Sequence, residues 1–567
     1  MAASVKPAIK ANRTTQAKQK KRIVARAMVT KADVRFSGSI NVPSCLPAPV
    51  MTCAFRCRFV HGRALNHSDD PHAFSFIQLT SRMRDQAGVL SAALNLGRSL
   101  LLWHRVGWAA ITAVTVTSST RKGPTVAETF DLILRGGACV TPGGIVQTDV
   151  GVRGGRIAAV GDVQGTAAEV LDCADLHILP GVIDSQVHFR EPGLEHKEDF
   201  GTGTAAAAMG GVTAVFEMPN TKPSTVTAAD LADKCRRAKD RAWVDMAFYV
   251  GATAENAETL PDLETLPGCA GVKMFMGSST GDLLVAEDAA VAAVLANGSR
   301  RMAVHCEDER RLRERFTIVE GGAEPVMHPE WRDVQTAFLA TERLLNLARG
   351  TRRRVHVLHV TTADEMALLK DYRDLATVEV TPQHLTLAAP ECYELLDSFA
   401  QMNPPIREAH HRDALWSALQ QGLVDCIGSD HAPHTLEEKK RPYPESPSGM
   451  PGVQTLVPLM LDHVAKGRLS LERMVDLTSA GPARILGVAD RGRVALGYGA
   501  HFTVVDLKMR RMITNSSMVS RCGWTPFDGL TVTGWPVATI VGGRMVMRDG
   551  QLLGDPGGEA VRFLECL

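Results

Sequence analysis

The stretch VIDSQVH, residues 182–188, is a short apolar run that ends in a histidine, and this pattern recurs along the chain as far as residue 430. The region holds eight apolar runs, and seven carry or end in a residue able to bind a metal ion or a substrate: His188, Asn220, Lys273, His305, His359, His384 and Asp430. The eighth run, DMAFYVG at residues 245–251, ends without one. Short β-rich runs separated by segments of helical length predict β/α units, and functional groups at strand C-termini are typical of (β/α)8-barrel enzymes.

The flanks of this region predict a second domain. VQTDVGVRGGRIAAVGD (residues 146–162) precedes the region and GWPVATIVGGRMVMRDG (residues 534–550) follows it, and both alternate β-type runs with Gly and Asp turns. We therefore predict an α/β protein with a TIM-type barrel over residues 180–486. A small β-sandwich domain is predicted from residues 126–179 and 487–567 together. Residues 1–125 are predicted to be a basic, poorly ordered extension, or the product of a start site placed too far upstream.

Charge and cysteine usage narrow the possible function classes. The formal net charge is +1, and the twelve cysteines form no CxxC pair. The basic run KQKKR, residues 18–22, could bind nucleic acid, but a solvated extension explains it better and we expect no nucleic-acid partner. The most membrane-like stretch, residues 89–116, contains Arg98, His104 and Arg105, so we expect no membrane span. Without a secretory signal, a reduced, cytoplasmic setting is expected.

Histidines and an aspartate at the ends of separate runs form a candidate metal site. One histidine at a strand end is more often structural than a ligand, but His188, His305 and His359 recur in this position and Asp430 joins them. Imidazole and carboxylate groups suit Zn²⁺ or a similar divalent ion. For His384, a packing or supporting role competes with direct ligation.

Lys273 lies inside the apolar run VKMFM, residues 272–276, where an ammonium would be costly to bury. An ion pair with a carboxylate or a side chain that reaches solvent at the barrel mouth would each explain it. A third explanation is carboxylation of the amine by carbon dioxide, which makes it an anion able to bridge two metal ions. The residue alone favours the ion pair, whereas the surrounding histidines and Asp430 favour the carbamate.

Eight motifs occur in an order that resembles the amidohydrolase superfamily. They are PGVIDSQVHFREPG (180–193), FEMPNTKP (216–223), GVKMFMGSSTG (271–281), HCEDE (305–309), VLHVTTADEM (357–366), VEVTPQHLTL (378–387), QMNPPIR (401–407) and GSDHAPHTLEEK (428–439). Together they look like the dihydroorotases of the bacterial class related to hydantoinases and allantoinases. The resemblance spans about residues 130–550.

The resemblance implies a metal-dependent hydrolase of cyclic amides. It implies that His188 and Asp430 hold one Zn²⁺ ion, that His305 and His359 hold a second, and that carboxylated Lys273 bridges them. Asp430 would also be catalytic, moving a proton from the attacking hydroxide to the leaving nitrogen. The implied reaction is the reversible hydrolysis of dihydroorotate to N-carbamoyl-L-aspartate in pyrimidine synthesis.

Four further residues are predicted substrate contacts. Arg190 and Asn220 match the positions that hold the ring carboxylate in dihydroorotases, and an arginine fork suits a carboxylate. Alternatively, Arg190 could pair with a nearby glutamate and Asn220 could shape its Pro-flanked turn. Asn403 and His434 resemble substrate contacts in the family, although each could instead stabilise a loop.

One departure from the family pattern concerns the first metal position. Most relatives have His-x-His at the end of the first strand, whereas this chain has Gln186, whose carbonyl oxygen is a weaker zinc partner. One or two ions per subunit are therefore expected. Two other functions stay open: hydrolysis of a hydantoin, allantoin or related cyclic ureide, and a non-catalytic partner of aspartate carbamoyltransferase. A homo-oligomer is also expected.

Overall fold

The computed structural model describes residues 128–279 and 281–564. The predicted extension, residues 1–125, lies outside the described residues. Within the described residues, no helix is long and apolar enough to cross a membrane.

The two flanking segments form one nine-stranded sheet. Its strands are β1 (Thr129–Thr141), β2 (Gly144–Arg153), β3 (Arg156–Gly161), β4 (Thr166–Asp172) and β5 (His177–Pro180) from the first segment. From the second segment come β14 (Phe502–Met512), β15 (Thr531–Val541), β16 (Arg544–Arg548) and β17 (Gln551–Leu552). The sheet order is β17-β16-β15-β14-β5-β1-β2-β3, and β4 pairs with the first half of β1. The antiparallel pairing of β5 with β14 joins the two segments, as predicted.

The central region is an eight-stranded parallel barrel, which confirms the predicted fold class. Its strands are β6 (Val182–Val187), β7 (Val212–Glu217), β8 (Asp245–Gly251), β9 (Cys269–Phe275), β10 (Met302–His305), β11 (Val355–Val357), β12 (Ala376–Val380) and β13 (Cys426–Ile427). They pair in chain order, and a parallel bridge between Val187 and His431 links the two ends. Every residue in these strands is buried, because one face points into the barrel and the other is covered by helices.

Helices connect the barrel strands and cover their outer faces. They are α1 (Phe200–Met209), α2 (Ala228–Ala238), α3 (Leu260–Leu263), α4 (Asp288–Ala296), α5 (Glu309–Arg315), α6 (His328–Trp331), α7 (Val334–Thr351), α8 (Ala363–Leu369), α9 (Pro382–Thr386), α10 (Glu391–Leu396), α11 (Ala409–Gln420), α12 (Leu436–Lys439), α13 (Leu456–Ala465), α14 (Leu471–Val475) and α15 (Gly481–Leu486). Side-chain caps fix several starts: Asp199 begins α1 and Thr362 begins α8. Because the eight strands are parallel neighbours, their C-terminal ends lie at one mouth of the barrel.

Candidate metal and substrate site

The predicted site residues meet at the C-terminal mouth of the barrel. One small cavity, of about 20 Å³, is lined by all five predicted metal ligands and by three of the four predicted substrate contacts. These residues are His188, Lys273, His305, His359, Asp430, Arg190, Asn220 and Asn403. Six of them end a parallel strand or follow one closely, Lys273 lies two residues before the end of β9, and Asn403 lies in the long connection after β12. They come together because the C-terminal ends of parallel strands share one edge.

His188 and Asp430 each direct an atom with a free lone pair toward the other. His188 Nδ1 lies 2.8 Å from Asn220 Oδ1, so Nδ1 carries the proton and donates to the amide oxygen. The lone pair of Nε2 then faces Asp430 Oδ1 at 3.1 Å. Burial lowers the pKa of His188, which favours the neutral ring. Two acceptors at this distance fit a shared cation, so this donor pair suits a metal ion.

His305 and His359 form the second donor pair. His305 Nε2 donates to Glu307 Oε2 at 2.9 Å, which leaves the lone pair of Nδ1 facing His359 Nε2 at 3.1 Å. Burial lowers the pKa of both imidazoles, so both rings are held neutral. A carboxylate behind a ligating histidine is the usual support at zinc sites because it fixes the tautomer. This pair also suits a divalent ion.

Glu307 and Arg332 extend the site beyond the predicted residues. Arg332 donates to both carboxylate oxygens of Glu307, with Nε at 3.0 Å from Oε1. Burial alone would raise the pKa of Glu307, but Arg332 and His305 overcome it and hold the pKa at about 2. Glu307 therefore stays ionised. The sequence carried a signal for it, since HCEDE places this acid two residues after His305.

Glu307→Gln is expected to weaken Zn²⁺ binding by about 10- to 100-fold, because loss of a supporting carboxylate usually costs this much. Chelator-competition titration of the purified protein measures the change. Glu264→Gln is the matched control, since Glu264 is buried and paired with Arg353 at 2.7 Å but does not line the cavity. Equal Zn²⁺ affinity in Glu307→Gln and the native protein would contradict the supporting role.

Lys273 lies on β9 with its amine buried in the same cavity. Its Nζ has no hydrogen-bond partner among the described residues, and it lies 4.5 Å from the Phe275 ring centroid. Neither of the two simpler explanations for the position of Lys273 is therefore supported: the amine has no ion-pair partner among the described residues, and the side chain is not in solvent. Burial lowers the pKa of Lys273 to about 7. A substantial fraction of this amine is therefore neutral at neutral pH, and the neutral amine is the form that reacts with carbon dioxide.

Gln186 is buried beside Asp430. Its Nε2 donates to Asp430 Oδ1 at 3.0 Å, and its Oε1 has no hydrogen-bond partner among the described residues. The amide thus binds the carboxylate that is predicted to hold a metal ion, and it offers that ion no lone pair in this orientation. This position therefore holds a hydrogen-bond donor to Asp430, where the resemblance leads us to expect a histidine.

Gln186→His is expected to tighten metal binding at His188 and Asp430 by roughly 10- to 100-fold, the range typical of changing one group around a metal. The second imidazole supplies a lone pair that the amide lacks. Stepwise Zn²⁺ titration measures the weaker of the two affinities. Gln186→Leu is the control: it removes the hydrogen bond to Asp430 without adding a lone pair, so it should not tighten metal binding. Tightening in Gln186→Leu equal to that in Gln186→His would show that the new imidazole is not a ligand.

Arg190 is buried and held from behind. Its Nε donates to the Pro433 carbonyl at 3.1 Å, and its NH2 group lies 3.2 Å from His434 Nε2. Burial lowers the pKa of Arg190 to about 10. The alternative of a structural pair with Glu191, Glu195 or Glu198 finds no support, because no ion pair joins Arg190 to these acids among the described residues. The guanidinium is thus a fixed cation at the cavity wall.

The remaining candidates divide between the cavity and its surroundings. Asn403 lines the cavity and its Oδ1 lies 3.1 Å from His328 Nε2. His434 does not line it but lies behind Arg190, also contacting Lys197 Nζ at 3.1 Å. His384 bonds Thr381 and the Pro404 carbonyl through its two ring nitrogens, so packing explains it.

Comparison with known proteins adds to this geometry. The model of the amidohydrolase family matches residues 177–546. The chain belongs to the amidohydrolase family. Within this family, it is 35% identical over 408 residues to a dihydroorotase of Methanothermobacter thermautotrophicus, a match that covers 71% of this chain and 92% of the relative. A dihydroorotase of Halobacterium salinarum is also 35% identical, with 73% and 96% covered.

Solved structures of other amidohydrolases share the fold. The L-hydantoinase of Arthrobacter aurescens matches with a TM-score of 0.72 and 29% identity, covering 76% of this chain and all of that one. The dihydropyrimidinase of Brevibacillus agri matches with a TM-score of 0.70 and 28% identity, covering 75% and 97%. Because one fold serves several cyclic amides, substrate choice has to be argued from the site itself.

Proposed function

We propose that this amidohydrolase is a metal-dependent dihydroorotase, which interconverts dihydroorotate and N-carbamoyl-L-aspartate in pyrimidine synthesis. The observation that carries the proposal is the presence of Arg190 and Asn220 in the same cavity wall as the donor pairs. Dihydroorotate bears a ring carboxylate, and a buried guanidinium is a strong partner for it. The dihydroorotase relatives support the same substrate.

The proposed cofactor is Zn²⁺, as one or two ions per subunit. His188 and Asp430 would hold the first ion, His305 and His359 the second, and Lys273 in its carboxylated form would bridge them. When bound, such ions polarise a carbonyl group and lower the pKa of water. The neutral imidazoles and the unpaired Lys273 amine support this assignment.

We propose separate roles for the side chains that bind the substrate and the side chain that transfers the proton. Arg190 and Asn220 bind the ring carboxylate and so orient the scissile amide. In hydrolysis, water adds to the ring carbonyl and the C–N bond breaks; Asp430 accepts the water proton and returns it to the leaving nitrogen. The reverse reaction uses the same groups and releases water.

Turnover assays test the proposal. The full-length protein is supplied with Zn²⁺ and bicarbonate, and initial rates are compared for dihydroorotate and dihydrouracil, which differ in the ring carboxylate. We expect kcat/KM to be at least about 10-fold higher for dihydroorotate, because a charged hydrogen bond contributes about 1.5–3 kcal/mol. Hydantoin and allantoin are run in parallel.

Other outcomes would redirect the assignment. Turnover of only the carboxylate-free rings would identify a cyclic ureide hydrolase, which the fold shared with hydantoinases also supports. No turnover and no bound metal, with stable association to aspartate carbamoyltransferase, would identify a non-catalytic partner. The homo-oligomer and the cytoplasmic setting stay predictions.

A further inference from the structure

A second group of potential metal ligands lies inside the barrel, apart from the predicted metal site. His356 on β11, Glu379 on β12 and Cys426 on β13 are fully buried, and all three point into the barrel. None of the three is among the predicted metal ligands or substrate contacts. His356 lies within β11, whereas His359 lies two residues beyond its C-terminal end, and none of the three residues lines the mouth cavity. The group therefore forms a deeper layer than the cavity at the mouth.

The donor atoms of this group have the spacing of a zinc site. His356 Nε2 lies 3.5 Å from Cys426 Sγ and 3.5 Å from Glu379 Oε2, and Cys426 Sγ lies 3.6 Å from Glu379 Oε2. Tetrahedral Zn²⁺ has bonds of about 2.0–2.3 Å to N, O and S, which places neighbouring donors about 3.3–3.6 Å apart. The three atoms thus match one face of a zinc tetrahedron.

The protonation pattern also suits a cation. His356 Nδ1 lies 2.8 Å from Thr377 Oγ1, whose hydroxyl is within reach of the Val355 carbonyl at 3.4 Å, so Nδ1 can donate to Thr377. The lone pair of His356 Nε2 is then directed at the other two donors, as in a ligating histidine whose second nitrogen is fixed by hydrogen bonding. Glu379 Oε1 is buried without a hydrogen-bond partner among the described residues.

We propose that His356, Glu379 and Cys426 bind a structural Zn²⁺ ion in the barrel interior. A carboxylate, a thiolate and a neutral imidazole would together balance the charge of one divalent cation. Ser185 Oγ donates to Glu379 Oε2 at 2.5 Å and lies 3.9 Å from Cys426 Sγ, so it contacts two of the three proposed ligands. This ion is additional to those of the proposed dihydroorotase site.

The position of the proposed ion next to the short strand β13 indicates a structural role. Strand β13 has two residues, Cys426–Ile427, and it pairs with β12 through Glu379↔Cys426 and Val380↔Ile427. The ion would tie β11, β12 and β13 together next to the place where β13 meets β6. Because β13 leads into Asp430 and β11 into His359, it would also help to position two predicted ligands of the mouth site.

Cobalt substitution tests this proposal. Metals are removed from the full-length protein and Co²⁺ alone is added while near-ultraviolet absorbance is recorded. We expect a thiolate-to-cobalt charge-transfer band that saturates at one equivalent, since the mouth site offers nitrogen and oxygen donors. Cys426→Ser should lose the band and about one bound Co²⁺. Cys306→Ser is the matched control, because Cys306 is buried and follows His305 but is outside the group; it should keep the band.

The result does not depend on dihydroorotase activity, so the two proposals can fail separately. Absence of a thiolate band from the native protein at saturating Co²⁺, or an unchanged band in Cys426→Ser, would overturn the interior site. If Cys426→Ser does not fold, X-ray absorption of the zinc-loaded native protein decides the question. A sulfur neighbour at about 2.3 Å supports the site, and nitrogen and oxygen neighbours alone overturn it.

Discussion

Lys273→Met is expected to lower kcat/KM for dihydroorotate by at least about 10³-fold and to reduce the metal held at the barrel mouth. The variant removes the amine that is proposed to become the bridging carbamate, and metal ions contribute several kcal/mol to such reactions. Each 1.36 kcal/mol corresponds to a factor of about ten in rate. Steady-state kinetics and metal analysis of the same preparations measure both effects.

The control for Lys273→Met is another buried lysine. Lys234 is as buried as Lys273, but its Nζ donates to Glu217 at 2.8 Å and it does not line the cavity. Lys234→Met should destabilise the fold while leaving the mouth metal in the folded fraction unchanged. In native protein prepared with ¹³C-bicarbonate, NMR should reveal a carbamate carbon that Lys273→Met lacks. A Lys273→Met protein with native metal content and activity would refute the bridge.

Arg190→Gln is expected to lower kcat/KM for dihydroorotate by about 10²- to 10³-fold. Removing one partner of a buried, charged hydrogen bond typically costs about 2–5 kcal/mol. Dihydrouracil lacks the carboxylate, so its kcat/KM should change by less than about tenfold. The ratio of the two values is the measurement, because damage to the fold affects both substrates alike.

Arg353→Gln is the matched control for the substrate ratio. Arg353 is also buried, but it pairs with Glu264 at 2.7 Å and does not line the cavity. This variant should lose stability and keep the native preference for dihydroorotate. If Arg190→Gln kept that preference too, another group would have to bind the carboxylate, and Asn220 would be the next residue to replace.

Much of the mouth site could be predicted because its signal is local. His188, Lys273 and His305 each end or interrupt a short buried run, and a run of this kind can be recognised without knowing its neighbours. Alternation with helices implies parallel strands, and parallel strands bring their C-terminal ends together. The barrel, the two-segment β domain and the shared cavity all follow from such local patterns.

The supporting contacts were not predictable in the same way. Glu307 is two residues after His305 in sequence, but its partner Arg332 lies 25 residues further along and is brought in by the loop before α7. His434 matched a substrate contact by motif, whereas the structure packs it against Arg190, 244 residues earlier. Such pairings depend on how separate β/α units dock, which no local pattern encodes.

The order of strands and helices, and the residues at strand ends, can be predicted from local sequence because hydrophobic periodicity and turn residues act over a few positions. The convergence of His356, Glu379 and Cys426 inside the barrel cannot be predicted in this way and becomes visible in the folded chain. Side-chain height in a closed barrel depends on strand register and stagger, which are set by the packing of all eight strands together.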